Sequence, residues 1–383
     1  MCTVYAMAKV LKVKITIASI VLLCLIGSFA YVLPRSATKT SNASVEAFML
    51  EASLCYNTQN PPACFNDLVI EKLPAYGLES VVEGYTKFIS KDTKSIKEQC
   101  HRSAHYLGEY AGRHSKNVDN ALSAGGSFCQ FGYYHGVIEG YSLVTPTLWE
   151  ELPHLCSKIT TDVESTVYGE CVHSLGHAIV TRTKYDIPQG LEKCSLLPAY
   201  REQTSCGTGI FMSWSNELDR RLSSSKPVTQ EFTQVNKDAR WEMCPKLEEL
   251  MQEPCVQFFA ETTDMTIESF LKYVNWCTAT FQGNENVVSS CHRGVGRVAG
   301  GEAGFAKVGS WPGVVSLCTS FTSEEHVNEC TSAAYSTASG FFAGQDMYTP
   351  ACAAWDKDPR KSQQCELIQK MYTQVNKEVV IGQ

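Results

Sequence analysis

The sequence predicts an all-α protein: a disulfide-stapled array of α/α-hairpin repeats, a solenoid or toroid, after an N-terminal transmembrane helix or signal peptide. Three observations predict this fold. An apolar run follows a basic N-terminus, most of the remaining cysteines fall in close pairs, and similar segments recur after the second cysteine of each pair. A repeat period in the range of roughly 30 to 45 residues is typical of helical-hairpin arrays.

The first 35 residues are predicted to be a targeting segment. Lys9, Lys12 and Lys14 precede an uncharged apolar run over residues 15–33. Its 19 residues are just enough to span a bilayer as a helix, and the lysines favour a cytoplasmic N-terminus. Two alternatives remain open: a signal peptide cleaved after Ala30, or a retained signal anchor. Both place the rest of the chain outside the cytoplasm, in a periplasm, a lumen or the extracellular space.

Downstream, a polar tether is expected at 36–50 and a helical repeat domain at 51–383, with a subdivision near 222–235. Hydrophobic residues make up 44% of the chain, so a sizeable core can be buried. The net charge of −7 gives no reason to expect nucleic acid as a partner. The expected partners are the membrane, through an uncleaved N-terminal helix, and proteins of a membrane complex.

The cysteines provide the repeat register. Two of the 18 lie in the targeting segment, and the other sixteen contain no CxxC motif, which favours structural disulfides over zinc or redox motifs. Cys55–Cys64 is a further local pair, and Cys100–Cys129 is left to join the first two inner helices. Six close pairs, with members 11 to 15 residues apart, are each expected to close a hairpin of an outer and an inner helix: Cys156–Cys171, Cys194–Cys206, Cys244–Cys255, Cys277–Cys291, Cys318–Cys330 and Cys352–Cys365.

Small residues recur on the inner helices, at the third position after the repeat cysteine. Because glycine costs about 1 kcal/mol in a helix interior, its recurrence indicates a close approach between neighbouring helices. The alternative, strands with glycine bulges, does not fit apolar and small residues that recur at intervals of three and four. Outer helices are expected at 78–91, 188–197, 238–251 and 267–277. The small residues are Ser103, Gly132, Ser174, Gly209, Gly294 and Ala333.

Five of the nine histidines lie near the starts of the first three inner helices. Within the first and third helices two histidines are four residues apart, a spacing that places both imidazoles on one helix face. Since neighbouring helices lie about 8–10 Å apart, three helices that each offer two ligands can surround one or two metal ions. The sequence therefore predicts a metal site at His101, His105, His135, His173 and His177.

Glu139 and Glu109 are the candidate catalytic residues, as ligand or general base, because each continues a histidine row at a spacing of four. Imidazole with carboxylate suits Zn, Cu, Fe or Mn. The expected cofactor is a transition metal ion, Cu, Fe or Zn, whose identity and number stay open. The alternative is a solvated cavity whose polar side chains are satisfied by water and neighbouring tyrosines.

Candidate substrate-binding residues come from the sixth position after the repeat cysteine and its surroundings. That position is polar in most repeats, which indicates a shared pocket rather than a core. Arginines there suit an anionic substrate, although pairing with Glu261 or Glu302 is an equally weighted alternative. The candidates are Arg102, Tyr134, Arg293 and Arg297.

Two functions from different classes remain. The first is an exported metalloenzyme or metal-binding protein, oxidative or hydrolytic, because an open metal position activates oxygen or bound water. The second is a non-enzymatic scaffold or accessory subunit of a membrane-associated complex that presents a concave repeat surface. The sequence contains no GxSxG elbow, P-loop, HExxH or Rossmann fingerprint, so it leaves open whether the chain is an enzyme at all.

Overall fold

The structure is a computed structural model that describes the chain from Asn42 onwards, with internal gaps. It describes residues 42–55, 57–59, 61–90, 94–115, 117–126, 129, 131–160, 162–222, 240–263, 266–301, 310–341 and 346–381. Within these ranges the regular secondary structure is helical and contains no β-strand, which confirms the all-α prediction.

The α-helices are numbered here in chain order. Their bounds are α1 Asn42–Cys55, α2 Pro61–Tyr76, α3 Leu78–Ser90, α4 Lys94–His114, α5 Val118–Ala124, α6 Gly132–Val144, α7 Leu148–Leu155, α8 Thr166–Arg182, α9 Ile187–Cys194, α10 Tyr200–Leu222, α11 Arg240–Met243, α12 Glu249–Phe259, α13 Ile267–Thr280, α14 Glu285–Gly300, α15 Trp311–Cys318, α16 Glu324–Phe341, α17 Tyr348–Ala353 and α18 Lys361–Ile381.

Eight of these helices pack on one another in chain order: α4 on α6, then α8, α10, α12, α14, α16 and α18. We call these eight the inner helices. Four short helices, α9, α13, α15 and α17, each pack against the inner helix that follows them in the chain. The alternation of a short helix and an inner helix agrees with the predicted hairpin repeats.

Every disulfide expected from the cysteine spacing is present, with Cα–Cα distances of 5.0 to 6.6 Å. Most bridges join cysteines 9 to 15 residues apart and therefore close a local hairpin. Cys100–Cys129 spans 29 residues and joins α4 to the turn before α6. A framework of this kind is typical of an oxidising, extracytoplasmic compartment.

The targeting segment, residues 1–35, and residues 36–41 of the predicted tether lie outside the described residues. Among the helices that the structure does describe, none is both long enough and apolar enough to cross a membrane. The retained anchor and the cleaved signal peptide therefore both stay predictions.

Glycines let neighbouring inner helices approach to backbone contact. A Cβ built on Gly136 of α6 would meet the carbonyl oxygen of His105 on α4, and one on Gly209 of α10 would meet that of His173 on α8. Backbone fills the space that a side chain would need at both positions. This close approach explains the small residues predicted after the repeat cysteines, and it brings the polar side chains of adjacent inner helices together.

Several predicted boundaries differ from the structure. Residues 42–50, expected in the tether, belong to α1, whose Val45 and Phe48 are buried in the core. Helices α4 and α8 begin before their cysteines, so their histidines lie well inside the helix rather than at its start. The predicted subdivision at 222–235 falls outside the described residues, apart from Leu222 at the end of α10.

The prediction of an outer helix at 238–251 is wrong for residues 240–251, the part of it that the structure describes. The chain there forms the short α11, a 3-10 turn at Cys244–Lys246 and the first turn of α12. Pro245 has no backbone N–H to continue an α-helix, and Leu247 is extended. The other three outer helices match α3, α9 and α13 to within a few residues.

Candidate functional site

Five imidazoles from three consecutive inner helices lie against one another. Helix α6 contributes His135, which lies between the histidine pairs of α4 and α8. The ring centroid of His135 is 5.5 Å from that of His101 and 6.2 Å from that of His105. On the other side it is 5.4 Å from His173 and 5.3 Å from His177. The structure thus brings the five predicted histidines together, and we call these five residues the histidine cluster.

Two carboxylates reach this cluster. Glu139 Oε1 lies 3.4 Å from His105 Nε2 and 3.9 Å from His177 Nδ1. Glu170 Oε2 lies 3.5 Å from His135 Nε2. Glu170 was missed by the sequence analysis because it precedes Cys171, whereas the repeat motif was read only after the cysteine. Its spacing of three from His173 on the same helix would have revealed it, because residues three apart share a helix face.

Glu109, the other candidate catalytic residue, forms an ion pair with Arg113 on its own helix. It still acts on the cluster through its charge, since Glu109 and Glu139 both raise the pKa of His105. Glu139 is therefore the candidate base in direct contact with two imidazoles, and Glu109 is a neighbour engaged elsewhere.

Hydrogen bonds fix the tautomers of two of the imidazoles. His101 Nδ1 lies 2.9 Å from the carbonyl oxygen of Cys129, which can only accept, so Nδ1 carries the proton. His173 Nδ1 lies 2.8 Å from Thr208 Oγ1, and that hydroxyl already donates its proton to the carbonyl of Ser205. His173 Nδ1 must therefore donate as well. In both rings the lone pair is left on Nε2, the usual metal-binding atom of a histidine whose other nitrogen is engaged.

The Nε2 atoms of His173 and His177 lie 2.9 Å apart. Because His173 Nε2 is unprotonated, His177 must donate to it from Nε2 and accept at Nδ1, where Ser213 Oγ lies 2.5 Å away. His135 Nε2 is buried and has no hydrogen-bond partner among the described residues, although Glu170 lies within ion-pair distance. A buried acceptor or donor without a partner costs free energy unless another group satisfies it.

Burial keeps most of the histidine cluster neutral. It lowers the pKa of His101, and of His173, to about 3, and in His101 the like-charged neighbours His135 and His105 add to the effect. Burial also holds the pKa of His177 well below its usual range. His105 is the exception, because Glu139 and Glu109 outweigh its burial and raise its pKa. Neutral imidazoles are the form in which histidine binds metals.

The carboxylate of Glu170 is held in its charged form. Burial favours the protonated acid, but the imidazoles of His135 and His173 outweigh it and lower the pKa of Glu170. The histidine cluster supplies neutral nitrogen donors, and Glu170 beside it supplies an ionised oxygen donor.

In the described part of the chain, no group of three or more histidine, cysteine, aspartate or glutamate side chains is arranged around a single metal position. This finding does not conflict with the ring contacts, because the donor atoms are directed at one another. The histidine nitrogens lie 3.4 to 3.9 Å from the oxygens of Glu139 and Glu170, and the Nε2 atoms of His173 and His177 lie 2.9 Å apart.

Two of the predicted substrate-binding arginines are already paired. Arg297 forms an ion pair with Glu261 and lies 3.8 Å above the ring of Phe258. Arg293 lies 3.2 Å from Glu329 and 3.7 Å from Glu253. The acidic partner of Arg297 is the one that the sequence suggested, whereas Glu302 lies outside the described residues.

The remaining two candidates differ in their exposure. Arg102 is exposed on α4, one residue from His101, whereas Tyr134 is buried beside Tyr133 and Phe131. Phe258 lies between the histidine cluster and Arg297. Its ring is 6.3 Å from that of His173, and the guanidinium of Arg297 lies over it. A role in substrate binding stays a prediction for all four residues.

Comparison with known proteins gives no relative. No family model matches the chain, and no curated protein or solved structure is significantly similar to it. The function must therefore be argued from the site itself.

Proposed function

We propose that this chain is an extracytoplasmic metalloprotein that binds a transition metal ion through the histidine cluster. The observation that carries the proposal is the fixed tautomer of His101 and His173. Each ring donates from Nδ1 to an oxygen outside the cluster and leaves the Nε2 lone pair for the interior. This is the usual way in which proteins orient a metal-ligating histidine.

Donor spacing supports the proposal. The Nε2 atoms of His173 and His177 are 2.9 Å apart, so two potential metal-binding nitrogens face each other. A metal ion bound at either nitrogen would replace their mutual hydrogen bond, with His177 shifting its proton to Nδ1 and donating to Ser213.

The burial of the imidazoles and the charge of the two carboxylates also support metal binding. Buried imidazoles with lowered pKa values are unprotonated at neutral pH, so a metal ion has few protons to displace. Glu139 and Glu170 supply negative charge that offsets that of a divalent cation. Imidazole and carboxylate together suit Zn, Cu, Fe and Mn.

The chemistry we infer is metal-assisted activation of water or oxygen. A metal with an open position lowers the pKa of bound water or binds oxygen, and we propose Glu139, 3.4 Å from His105 and 3.9 Å from His177, as its ligand or as the general base. The N-terminal segment, which we propose to target the chain for export, places this chemistry outside the cytoplasm, anchored or secreted.

Element analysis of the full chain, produced in an oxidising compartment, tests the proposal. We expect at least one equivalent of a transition metal after reconstitution, and His105→Ala and His177→Ala should each lower the occupancy. His154→Ala is the matched control, because His154 is exposed on α7 away from the cluster. Occupancy below about 0.2 equivalents in the wild-type protein would contradict metal binding. The scaffold hypothesis would then be preferred.

A further inference from the structure

The histidine cluster and its two carboxylates contain more donors than one ion can use. Five imidazoles and two carboxylates lie within contact of one another, and a first-row transition ion takes four to six ligands. A single ion that used six of these side chains would have no open position.

The first carboxylate defines one group of donors. Glu139 of α6 lies 3.4 Å from His105 of α4 and 3.9 Å from His177 of α8. One carboxylate with two imidazoles, each from a different helix, is the composition of a metal site that keeps positions open for water or oxygen.

The second carboxylate defines another group. Glu170 of α8 lies 3.5 Å from His135 Nε2, and the ring of His135 lies 5.5 Å from that of His101 and 5.4 Å from that of His173. His135 is 4% exposed, and its Nε2 has no hydrogen-bond partner among the described residues. A cation between this nitrogen and Glu170 would satisfy it. The nitrogen therefore indicates a ligand position that is separate from the group around Glu139.

We infer that the histidine cluster binds two divalent transition metal ions, one held by Glu139 with His105 and His177, the other by Glu170 with His135, His101 and His173. The inference rests on the proposed function and deepens it. Two ions that share one cluster lie at about 3.5–4 Å from each other in known dinuclear sites. The ligand expected between them is a small bridging anion such as hydroxide.

Titration of the metal-free full chain with Zn²⁺, followed by calorimetry and by element analysis after desalting, tests the number of ions. We expect two equivalents for the wild-type protein, and one equivalent for Glu139→Gln and for Glu170→Gln. Glu164→Gln is the matched control and should keep two, because Glu164 is exposed and pairs with Arg201. Near-ultraviolet circular dichroism verifies that each variant is folded.

The outcomes separate the two proposals. One equivalent in the wild-type protein would overturn the second ion and leave the proposed metalloprotein in place. No bound metal would overturn both. Two equivalents in both carboxylate variants, with unchanged affinity, would overturn the assignment of the two groups.

A second readout needs no variant. We expect the wild-type protein loaded with two equivalents of Cu²⁺ to lose most of its electron paramagnetic resonance intensity, because two bridged Cu²⁺ ions couple antiferromagnetically. Full intensity for two equivalents would contradict two neighbouring ions that share a bridge.

Discussion

The Nδ1 atom of His101 lies 2.9 Å from the carbonyl oxygen of Cys129, so a disulfide-bonded residue of one repeat orients an imidazole of another. Cys129 has a φ of 54°, in the left-handed region that residues with a Cβ rarely adopt. Its bridge to Cys100, the neighbour of His101, holds the carbonyl of Cys129 close to the imidazole of His101. This disulfide therefore contributes to the geometry of the site as well as to stability.

Removing this bridge should affect stability and metal binding together. The chain-entropy model gives a loss of about 3–4 kcal/mol for a loop of 29 residues and about 3 kcal/mol for a loop of 12. We expect the double replacement Cys100→Ala and Cys129→Ala to lower both the free energy of unfolding and the Zn²⁺ affinity. The control pair, Cys318→Ala with Cys330→Ala, should lower only the free energy of unfolding. Equal metal affinity in both double variants would contradict the link to His101.

Adding one methyl group at a helix contact should destabilise the protein strongly. In Gly136→Ala the new Cβ would overlap the backbone of His105, so α4 and α6 must separate, and we expect a loss of at least about 2 kcal/mol. Gly169→Ala is the control, since a Cβ there meets nothing within 4 Å. It lies inside α8, so alanine should stabilise by about 0.5–1 kcal/mol. Denaturant unfolding with intact disulfides measures the stability of both variants. Equal stabilities of Gly136→Ala and Gly169→Ala would contradict the close contact.

The metal-free protein should lose stability as the pH falls below 6.5. The pKa values of His101 and His173, at about 3, and of His177 lie below those of the unfolded chain, so unfolding takes up protons in this range. Each of these histidines then lowers the free energy of unfolding by about 1.4 kcal/mol per pH unit. His105 acts in the opposite direction, because its pKa is raised and its contribution is present at low pH and lost as the pH rises.

Urea unfolding at a series of pH values from 7 to 4 checks this expectation. His173→Asn should reduce the slope of stability against pH, because one of the titrating groups is gone. A pH-independent free energy of unfolding in this range would show that the buried histidines are not held neutral.

The ion pair between Arg297 and Glu261 should contribute more than an exposed pair. Both side chains are about four-fifths buried, and Ser215 donates to Glu261 over 2.5 Å. Glu261→Gln leaves the guanidinium without its charge partner, and we expect a loss of about 1–2 kcal/mol. The exposed Glu164, changed to Gln, should lose less than about 0.5 kcal/mol.

A double-mutant cycle that adds Arg297→Gln separates the pair itself from other losses. We expect part of the stability lost in Glu261→Gln to return in the double variant, since no charge is then left unpaired. Fully additive losses would contradict a direct pairing in solution.

Much of the architecture follows from the cysteine spacing. Cysteines 9 to 15 residues apart have few partners within reach other than each other, which is why each expected local bridge is present. The recurrent small residues correctly indicated close inner helices, as Gly209 and Gly294 show. Together these two patterns placed the five histidines on three neighbouring helices, and the structure brings them together.

Other features depended on information that spacing does not carry. The spacing of three between Glu170 and His173 could have placed Glu170 on the same face of α8, but its proximity to His135 on α6 requires the helix packing to be known. The partners of Arg293, Glu253 and Glu329, come from two neighbouring inner helices, so their pairing requires the helix packing to be known. The break at Pro245 could have been recognised, because proline inside a predicted helix ends it.

The short span of the disulfides has a consequence for how such a chain acquires them in an oxidising compartment. A bridge across 9 to 15 residues can close as soon as one hairpin is present there, with no need to wait for distant sequence. Oxidation can thus advance from the N-terminal end towards the C-terminal end, one repeat at a time. The bridge between Cys100 and the turn before α6 spans 29 residues, so it needs more of the chain than any local bridge before it can close. The histidine cluster begins at this bridge, with His101.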